Sequence, residues 1–493
     1  MLTKYIILAI YFGILFAIGI VASRRVKGMS DFYVGGKNVG FWAVAFSARA
    51  TGESGWLLLG LTGMGAMAGI SAYWVVLGEL LGVAVSWFFM AQPFKRLSDQ
   101  YDAITIPDFL EGRFKPKTNL LRWVAAAALS VFVVIYVSAQ IDTTGKAFES
   151  LLQMDYLTGA IIGFVIVVAY IYIGGFLAVV WSDFFQGIMM FLGLMLLPLV
   201  GWFAVESGGE FVQGLRDLDP NLLNVWGTSD DPWLNVATLL GFAMIGLGFL
   251  GSPQIYVRFI AVRNEGEIKY GRWVAVVFTL LTDGAAVTIG LLGRYLFTKV
   301  GQDPEAVLGN NGEDLLIVMV ENLLPLVLVG IYIAVVLSAI MSTIDSLLVV
   351  ASSSITRDVY QKLLRPKIDD QKLTRISRYV TLALALFSLA IAILVATLSP
   401  DRTIFWFVIF GWSGIAATFC PVIILSLFWK GYSEKGAIAS MITGFACVPF
   451  FKFVVQEMEG IGAYFEALDV LAPSFLISML VGAIVSRIYP ASA

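Results

Sequence analysis

Phe46-Ser-Ala-Arg-Ala-Thr-Gly-Glu-Ser-Gly-Trp56 decides how this chain is read. The stretch lies inside a long apolar run, yet it carries a guanidinium, a carboxylate, hydroxyls and glycines. Gly241-Phe-Ala-Met-Ile-Gly-Leu-Gly-Phe-Leu-Gly-Ser-Pro-Gln254 has the same character. Glycine loosens the backbone, and Pro253 removes a donor and clashes with the preceding turn. In lipid the freed amides and carbonyls find no water, so irregular backbone survives only where it is buried or lines a cavity. One such segment reads equally well as an ordinary kink or a close helix crossing. Two at matching places in two halves of a chain are the sequence mark of a central binding site between repeats.

The surrounding composition makes the solvent a bilayer. Of 493 residues, 59% are hydrophobic and 14% charged, against about a quarter charged in soluble proteins. The mean hydropathy is +0.86. One soluble core cannot absorb that excess, because cores stop growing beyond roughly 250–300 residues. The first apolar run, Tyr5 to Ala22, lacks a basic segment before it and a small-residue cleavage site after it, and reads as a retained helix. Cys420 and Cys447 both sit in apolar runs, so no disulfide framework or metal cluster is expected. The chain has no histidine, which removes imidazole metal sites, Ser-His-Asp triads and histidine proton relays. With no nucleophile–base pair in view either, an enzyme is not expected.

Apolar runs between charged or Pro/Gly-rich breaks predict thirteen membrane helices, near 5–22, 40–67, 71–91, 121–141, 159–179, 182–204, 234–257, 272–297, 323–352, 376–397, 403–428, 436–456 and 470–488. With the N-terminus outside, most of the 32 Lys and Arg fall on cytoplasmic loops, among them Arg24, Arg25, Lys95, Arg113, Lys117, Arg258, Arg263 and the basic run from Arg357 to Arg378. The opposite loops are acidic, as at Glu206, Asp217 and Asp230. This is the positive-inside pattern, and an odd helix count places the C-terminus in the cytoplasm. One membrane domain, 1–493, is expected. Residues 5–22 form an extra helix, 40–204 and 234–428 form two groups of five, and 436–488 close the chain. An odd number of helices per group makes the two repeats inverted.

A charge at mid-bilayer costs about 2.5–3.5 kcal/mol on insertion scales, so each needs a reason. Arg49 and Glu53, four apart, share a helix face, with Glu79 as a third member. They read as a self-neutralising pair or as a site for a charged or zwitterionic solute. Ser338, Ser342, Asp345 and Ser346 line one helix stripe. Hydroxyl, carboxylate and carbonyl oxygens suit hard cations, whereas hydroxyls alone would read as helix–helix hydrogen bonding; Asp345 tips the stripe toward a cation. Asp183 lies just inside a helix opening at Ser182, and Asp283 has no assignable partner.

Gly174-Gly-Phe-Leu-Ala-Val-Val-Trp-Ser-Asp-Phe-Phe-Gln186 resembles the sodium:solute symporter family, and within it the proline-carrying branch most closely. Ser54–Gly60, Thr105–Phe109 with Arg113-Phe114, Gly251–Gln254, Met341–Thr343 and Ser352–Tyr360 match that family in the same order, from about residue 30 to 430. The resemblance implies a leucine-transporter-type fold and sodium-coupled uptake by alternating access in a bacterial cytoplasmic membrane. Its principal Na+ site would fall on the main-chain oxygens of Ala50 and Glu53, and on Ala339, Ser342 and Thr343. A second would fall on Asp183, Ser342, Asp345 and Ser346. The solute would meet Arg49, Ser54, Gly55, Trp56, Glu79, Ile245, Phe249 and Ser252. Departures put proline in doubt. The branch's sodium-linked aspartate falls on Gly52 and its neighbour is Glu53, while its solute-side tryptophan and tyrosine fall on Ile245 and Phe249.

The expected partners are a small solute (proline or another amino-acid-like or carboxylate-bearing molecule), Na+ and the lipid bilayer, with no nucleic acid and no obligatory protein partner. A proton-coupled carrier using Glu53, Glu79 or Asp345 is the nearest alternative. A transporter-like sensor is disfavoured because Ala493 follows the last expected helix by five residues.

Overall fold

The computed structural model describes residues 1–116, 118–400 and 402–491; Lys117, counted above among the cytoplasmic charges, lies outside them. All regular structure among the described residues is helical, and eleven of the helical runs are long and apolar enough to cross a membrane. The elements used below are α1 (Leu2–Ser23), α2 (Phe41–Trp56), α3 (Tyr73–Val85), α4 (Leu120–Leu152), α5 (Tyr156–Phe203), α6 (Pro232–Met244), α7 (Pro253–Ala261), α8 (Glu265–Phe297), α9 (Leu326–Ser353), α10 (Asp370–Leu398) and α11 (Ile404–Phe428).

Two apolar runs are long enough for two full crossings. Phe41–Gln100 spans 60 residues and Tyr156–Phe203 spans 48, against about 20 for a bilayer core. Each is broken at a positive-φ glycine: Gly69 at φ +65° and Gly175 at φ +57°. The second break corrects the sequence reading. The helix opens after Gly175 rather than at Ser182, so Asp183 sits two turns inside it and is fully buried. The helix expected over 121–141 also runs longer, from Leu120 to Leu152, and carries Gln140, Asp142 and Thr143 in its buried face.

Burial orders the layers. The apolar windows of Ile404–Phe428 and Leu326–Leu364 are 89% and 83% buried, whereas those of α1 and α10 are 28% buried. Helices α9 and α11 therefore run through the centre, and α1 and α10 face lipid. Helix α2 packs on α5, α8 and α9.

The two interrupted stretches have different local causes. In α2 the break is Ser54, at φ 53° and ψ −174°, a conformation that L residues rarely hold. The strain persists because neighbours determine it. The Gly55 amide donates to Gln140 Oε1 of α4 at 3.1 Å, and the Trp56 amide to Ser54 Oγ at 3.3 Å. In the second stretch α6 tightens into a 3-10 turn over Ile245–Leu250, and α7 restarts on Pro253. Trp412 Nε1 of α11 donates to the Ile245 carbonyl at 3.3 Å, and Ser252 Oγ to the Gly248 carbonyl at 2.6 Å. Cys420 also donates its thiol to Gly248 O at 3.4 Å. The two stretches are tied at one end, where the Val39 amide donates to Ala261 O at 3.1 Å and the Arg263 amide to Val39 O at 3.0 Å.

Close backbone approach holds α3 against the second stretch. A Cβ at Gly246 would overlap the Gly78 carbonyl, and one at Gly78 would overlap that of Ala243. Gly246→Ala is expected to destabilise the protein by about 1–3 kcal/mol, the usual cost of overpacking. The readout is a lower unfolding midpoint of the detergent-purified protein. Gly13→Ala on α1, where nothing lies within 4 Å of the new methyl, serves as the silent control.

Candidate functional site

Helix α2 ends its regular turn just before Ser54, and α9 crosses it there. The result is a set of oxygens shared by the two helices. Ser342 Oγ donates to Ala50 O at 3.0 Å and to Ala339 O at 3.2 Å. Thr343 Oγ1 donates to Thr51 O at 3.1 Å and to Ala339 O at 3.2 Å. Five oxygens, three carbonyl and two hydroxyl, thus converge with no nitrogen among them, which is the donor chemistry of a hard cation. Ala50, Ala339, Ser342 and Thr343 are brought together. Glu53 is not part of this contact set: its carbonyl accepts from the Leu57 amide, and Thr51 O takes the place beside Thr343.

One turn further along α9 a second cluster forms. Asp183 Oδ2 accepts from Ser47 Oγ at 2.6 Å, Thr51 Oγ1 at 3.3 Å and Ser346 Oγ at 3.4 Å. Asp345 accepts from Tyr170 OH at 2.8 Å, Ser182 Oγ at 3.4 Å and Ser346 Oγ at 3.1 Å. Asp183, Asp345 and Ser346 therefore meet, while the Ser342 hydroxyl belongs to the first set and its carbonyl accepts from Thr51 Oγ1 at 3.5 Å.

The second cluster also holds a cation of its own. Arg258, assigned from sequence to a cytoplasmic loop, is a fully buried residue of α7. Its guanidinium donates to Asp183 Oδ2 at 3.0 Å, Ser47 Oγ at 3.1 Å, Thr51 Oγ1 at 3.0 Å and the Gln254 carbonyl at 2.5 Å, and it also reaches Ser346 Oγ. Two of the four residues expected to hold a second sodium, Asp183 and Ser346, are thus bonded to a guanidinium. The signal was in the sequence: a lone arginine in Ile255-Tyr-Val-Arg-Phe-Ile-Ala261, with apolar residues on both sides. The helix boundary expected at 257 hid it. Ser47, Thr51 and Tyr170 were missed for a different reason, since hydroxyls in membrane helices are common and only their partners single them out.

On the other face of the break lie the residues expected to meet solute. Arg49 pairs with Glu53 and lies 3.7 Å from Glu79 Oε2. Asp283 of α8, left unpartnered by the sequence, joins them: one oxygen from each of Glu53, Glu79 and Asp283 lies within 4.8 Å of the others. The Arg49 guanidinium stands 4.7 Å from the Phe249 ring centroid, and Phe249 and Trp412 have centroids 5.1 Å apart. Phe249 Cε1 is 2.7 Å from where a Cβ on Gly52 would sit, so glycine is what admits that ring. Ser54, Gly55, Trp56, Ile245 and Ser252 are all buried around the same breaks. Trp56 points away toward Phe405, at 5.7 Å between centroids, and Ser252 is spent on the Gly248 carbonyl. Phe249, Trp412 and Arg49 together close the space between the two breaks.

The sodium:solute symporter family model matches residues 32–444. The chain is 38% identical over 436 residues to the high-affinity proline transporter PutP of Bacillus subtilis, covering 87% of this chain and 88% of that one. It is 33% identical over 485 residues to the osmoregulated proline transporter OpuE of the same organism, covering 98% and 94%. A sodium/proline symporter of Staphylococcus aureus is 32% identical, covering 98% and 92%. Among solved structures, a Na+-coupled sialic acid symporter in a substrate-bound outward-open state superposes with a TM-score of 0.78 at 19% identity, covering 99% of this chain and 98% of that one. That likeness shows the fold, which is of the leucine-transporter type expected. With most of its length matched by the family model and by curated relatives, this chain belongs to the sodium:solute symporter family.

Proposed function

We propose that the protein is a symporter that imports a small organic solute across the bacterial cytoplasmic membrane with sodium, by alternating access. The observation that carries this reading is the oxygen set at the α2 break, where Ser342 and Thr343 reach Ala50 O and Thr51 O. Sodium at that set would replace two hydroxyl–carbonyl hydrogen bonds with coordination, and it would tie α9 to the half of α2 that precedes Ser54. Glu53 O reaches the ion if the helix loosens at Leu57, which the break at Ser54 makes local. Solute then occupies the space closed here by Phe249, between Arg49, Glu79 and the unwound backbone of Ser54, Gly55 and Ile245.

Coupling follows from reciprocal linkage. Ion and solute each favour the same conformer, so each raises the affinity for the other by the same factor. The membrane potential drives the ion inward by ~2.3 kcal/mol per charge per 100 mV. Arg258 bears on the second proposed ion position, at Asp183, Ser342, Asp345 and Ser346. In this conformer its guanidinium holds Asp183 and Ser346, so sodium enters there only when Arg258 withdraws. For the chain path we assign residues 40–204 and 234–428 as the two inverted repeats. Reversals at Gly69 and Gly175 bring the crossings to thirteen, with the N-terminus outside and the C-terminus inside. Proline is the named solute of the relatives, and the Arg49–Glu53–Glu79 group argues for a solute with charge at both ends.

In proteoliposomes, solute uptake should collapse when sodium is replaced by potassium and survive a proton uncoupler; equal uptake in potassium, or loss with the uncoupler, would favour a proton-coupled carrier. Ser342→Ala and Thr343→Ala should each raise the sodium concentration for half-maximal uptake at least about tenfold, equivalent to about 1.4 kcal/mol. Arg258→Gln, which leaves Asp183 buried without its partner, should cost about 3–5 kcal/mol of stability. Arg258→Gln combined with Asp183→Asn should cost less than the two changes summed, in a double-mutant cycle read by thermal unfolding.

A further inference from the structure

Asp283 lies mid-helix in α8 and completes a group that the sodium set does not use. Glu53 and Asp283 are fully buried, and Arg49 and Glu79 are 1% exposed. Three carboxyl groups face one guanidinium in a region from which water is excluded, so Arg49 is the one fixed positive charge set against three acids. Burying a charge without a partner is costly, and such groups are paired or completed by a ligand. Hydrogen bonding within the protein does not complete this one. Glu53 Oε2, Glu79 Oε2 and Asp283 Oδ2 have no hydrogen-bond partner, and Thr282 Oγ1 reaches Asp283 Oδ1 at 3.1 Å while it also donates to the Phe278 carbonyl at 2.8 Å. Arg49 supplies a second and independent sign of a ligand. Its guanidinium is aimed into the group through Nη2, yet Nε and Nη1 donate to nothing. Free donors and free acceptors therefore stand side by side, beside the paired rings of Phe249 and Trp412.

We propose that Glu53, Glu79 and Asp283 form a binding site for the positively charged nitrogen of the transported solute, with the free N–H groups of Arg49 taking its carboxylate. This rests on the symport reading and deepens it by naming the solute class: an amino acid of net positive charge. A neutral zwitterion such as proline matches Arg49 with its carboxylate but returns only one positive charge to three acids. A basic amino acid returns two, and the aliphatic part lies against Phe249. The same positive charge has another conceivable source, an inorganic cation held by the three oxygens, and the test separates the two.

The experiment measures ligand binding to the purified full-length protein by thermal stabilisation and calorimetry, in sodium chloride and in choline chloride. The probes are L-lysine, L-proline, n-butylamine and propionate. In sodium, L-lysine should bind at least tenfold more tightly than L-proline, and butylamine should stabilise the protein where propionate does not. Glu79→Gln and Asp283→Asn should each weaken lysine binding at least tenfold, while the stabilisation produced by sodium alone stays as in the parent. Glu79→Asp, which keeps the charge, should retain lysine binding within a few fold, separating loss of charge from loss of fold. Proline binding as tightly as lysine would overturn the proposal, as would the absence of lysine binding. A sodium affinity that falls in Glu79→Gln or Asp283→Asn, with solute binding unchanged, would overturn it in favour of an inorganic cation. Failure of the symport reading is a separate result, namely solute uptake that is equal in sodium and potassium.

Discussion

Everything in this molecule depends on how two broken backbones are satisfied in oil. Ser54 and the Ile245–Leu250 turn expose amides and carbonyls that water would serve in a soluble protein. Here neighbouring helices serve them: Gln140 of α4 takes the Gly55 amide, and Trp412 and Cys420 of α11 serve the carbonyls of Ile245 and Gly248. Each partner comes from a helix distant in sequence, so the breaks exist only in the assembled bundle. The same dependence makes them suitable hinges. A break held by a few side-chain hydrogen bonds changes partners at little cost, whereas a regular turn does not.

Three polar groups meet around the first break, and they are distinguished by how fully each is paired. The Ala50–Ser342–Thr343 set is neutral, and its hydroxyls are used on carbonyls. The Asp183–Asp345 cluster is charged and carries its own counter-ion in Arg258. The Arg49–Glu53–Glu79–Asp283 group is charged and incompletely paired. A cation is readily accepted by the first and must compete in the second, while the third sets one guanidinium against three acids. This gradation orders the roles of ion, tethered cation and solute around one helix break.

Arg258 also shows how a sorting rule for charges can mislead at its edge. The positive-inside pattern is a statement about loops, and an arginine one residue past an expected helix end was counted with them. In the fold, Pro253 starts a new helix that carries Arg258 inward on its second turn. Buried at 0% exposure, it neutralises Asp183 rather than marking a cytoplasmic surface.

Hydropathy and punctuation alone determined the solvent, the helical class, the two interrupted stretches and, through motifs such as Gly174–Gln186, the family. These are local properties, because a run of about 20 apolar residues satisfies its own backbone in lipid as a helix, and the polar and glycine-rich interruptions of such runs are written in consecutive residues. Stripe spacing also placed Ser342, Asp345 and Ser346 on one face of α9. Only the tertiary structure decided what that face meets. Thr51 O rather than Glu53 O stands beside Thr343, Arg258 rather than a free space stands beside Asp183, and Asp283 joins Glu79 across two helices. Those pairings depend on helix rotation and crossing, which packing of the whole bundle sets, and no short window of sequence encodes them.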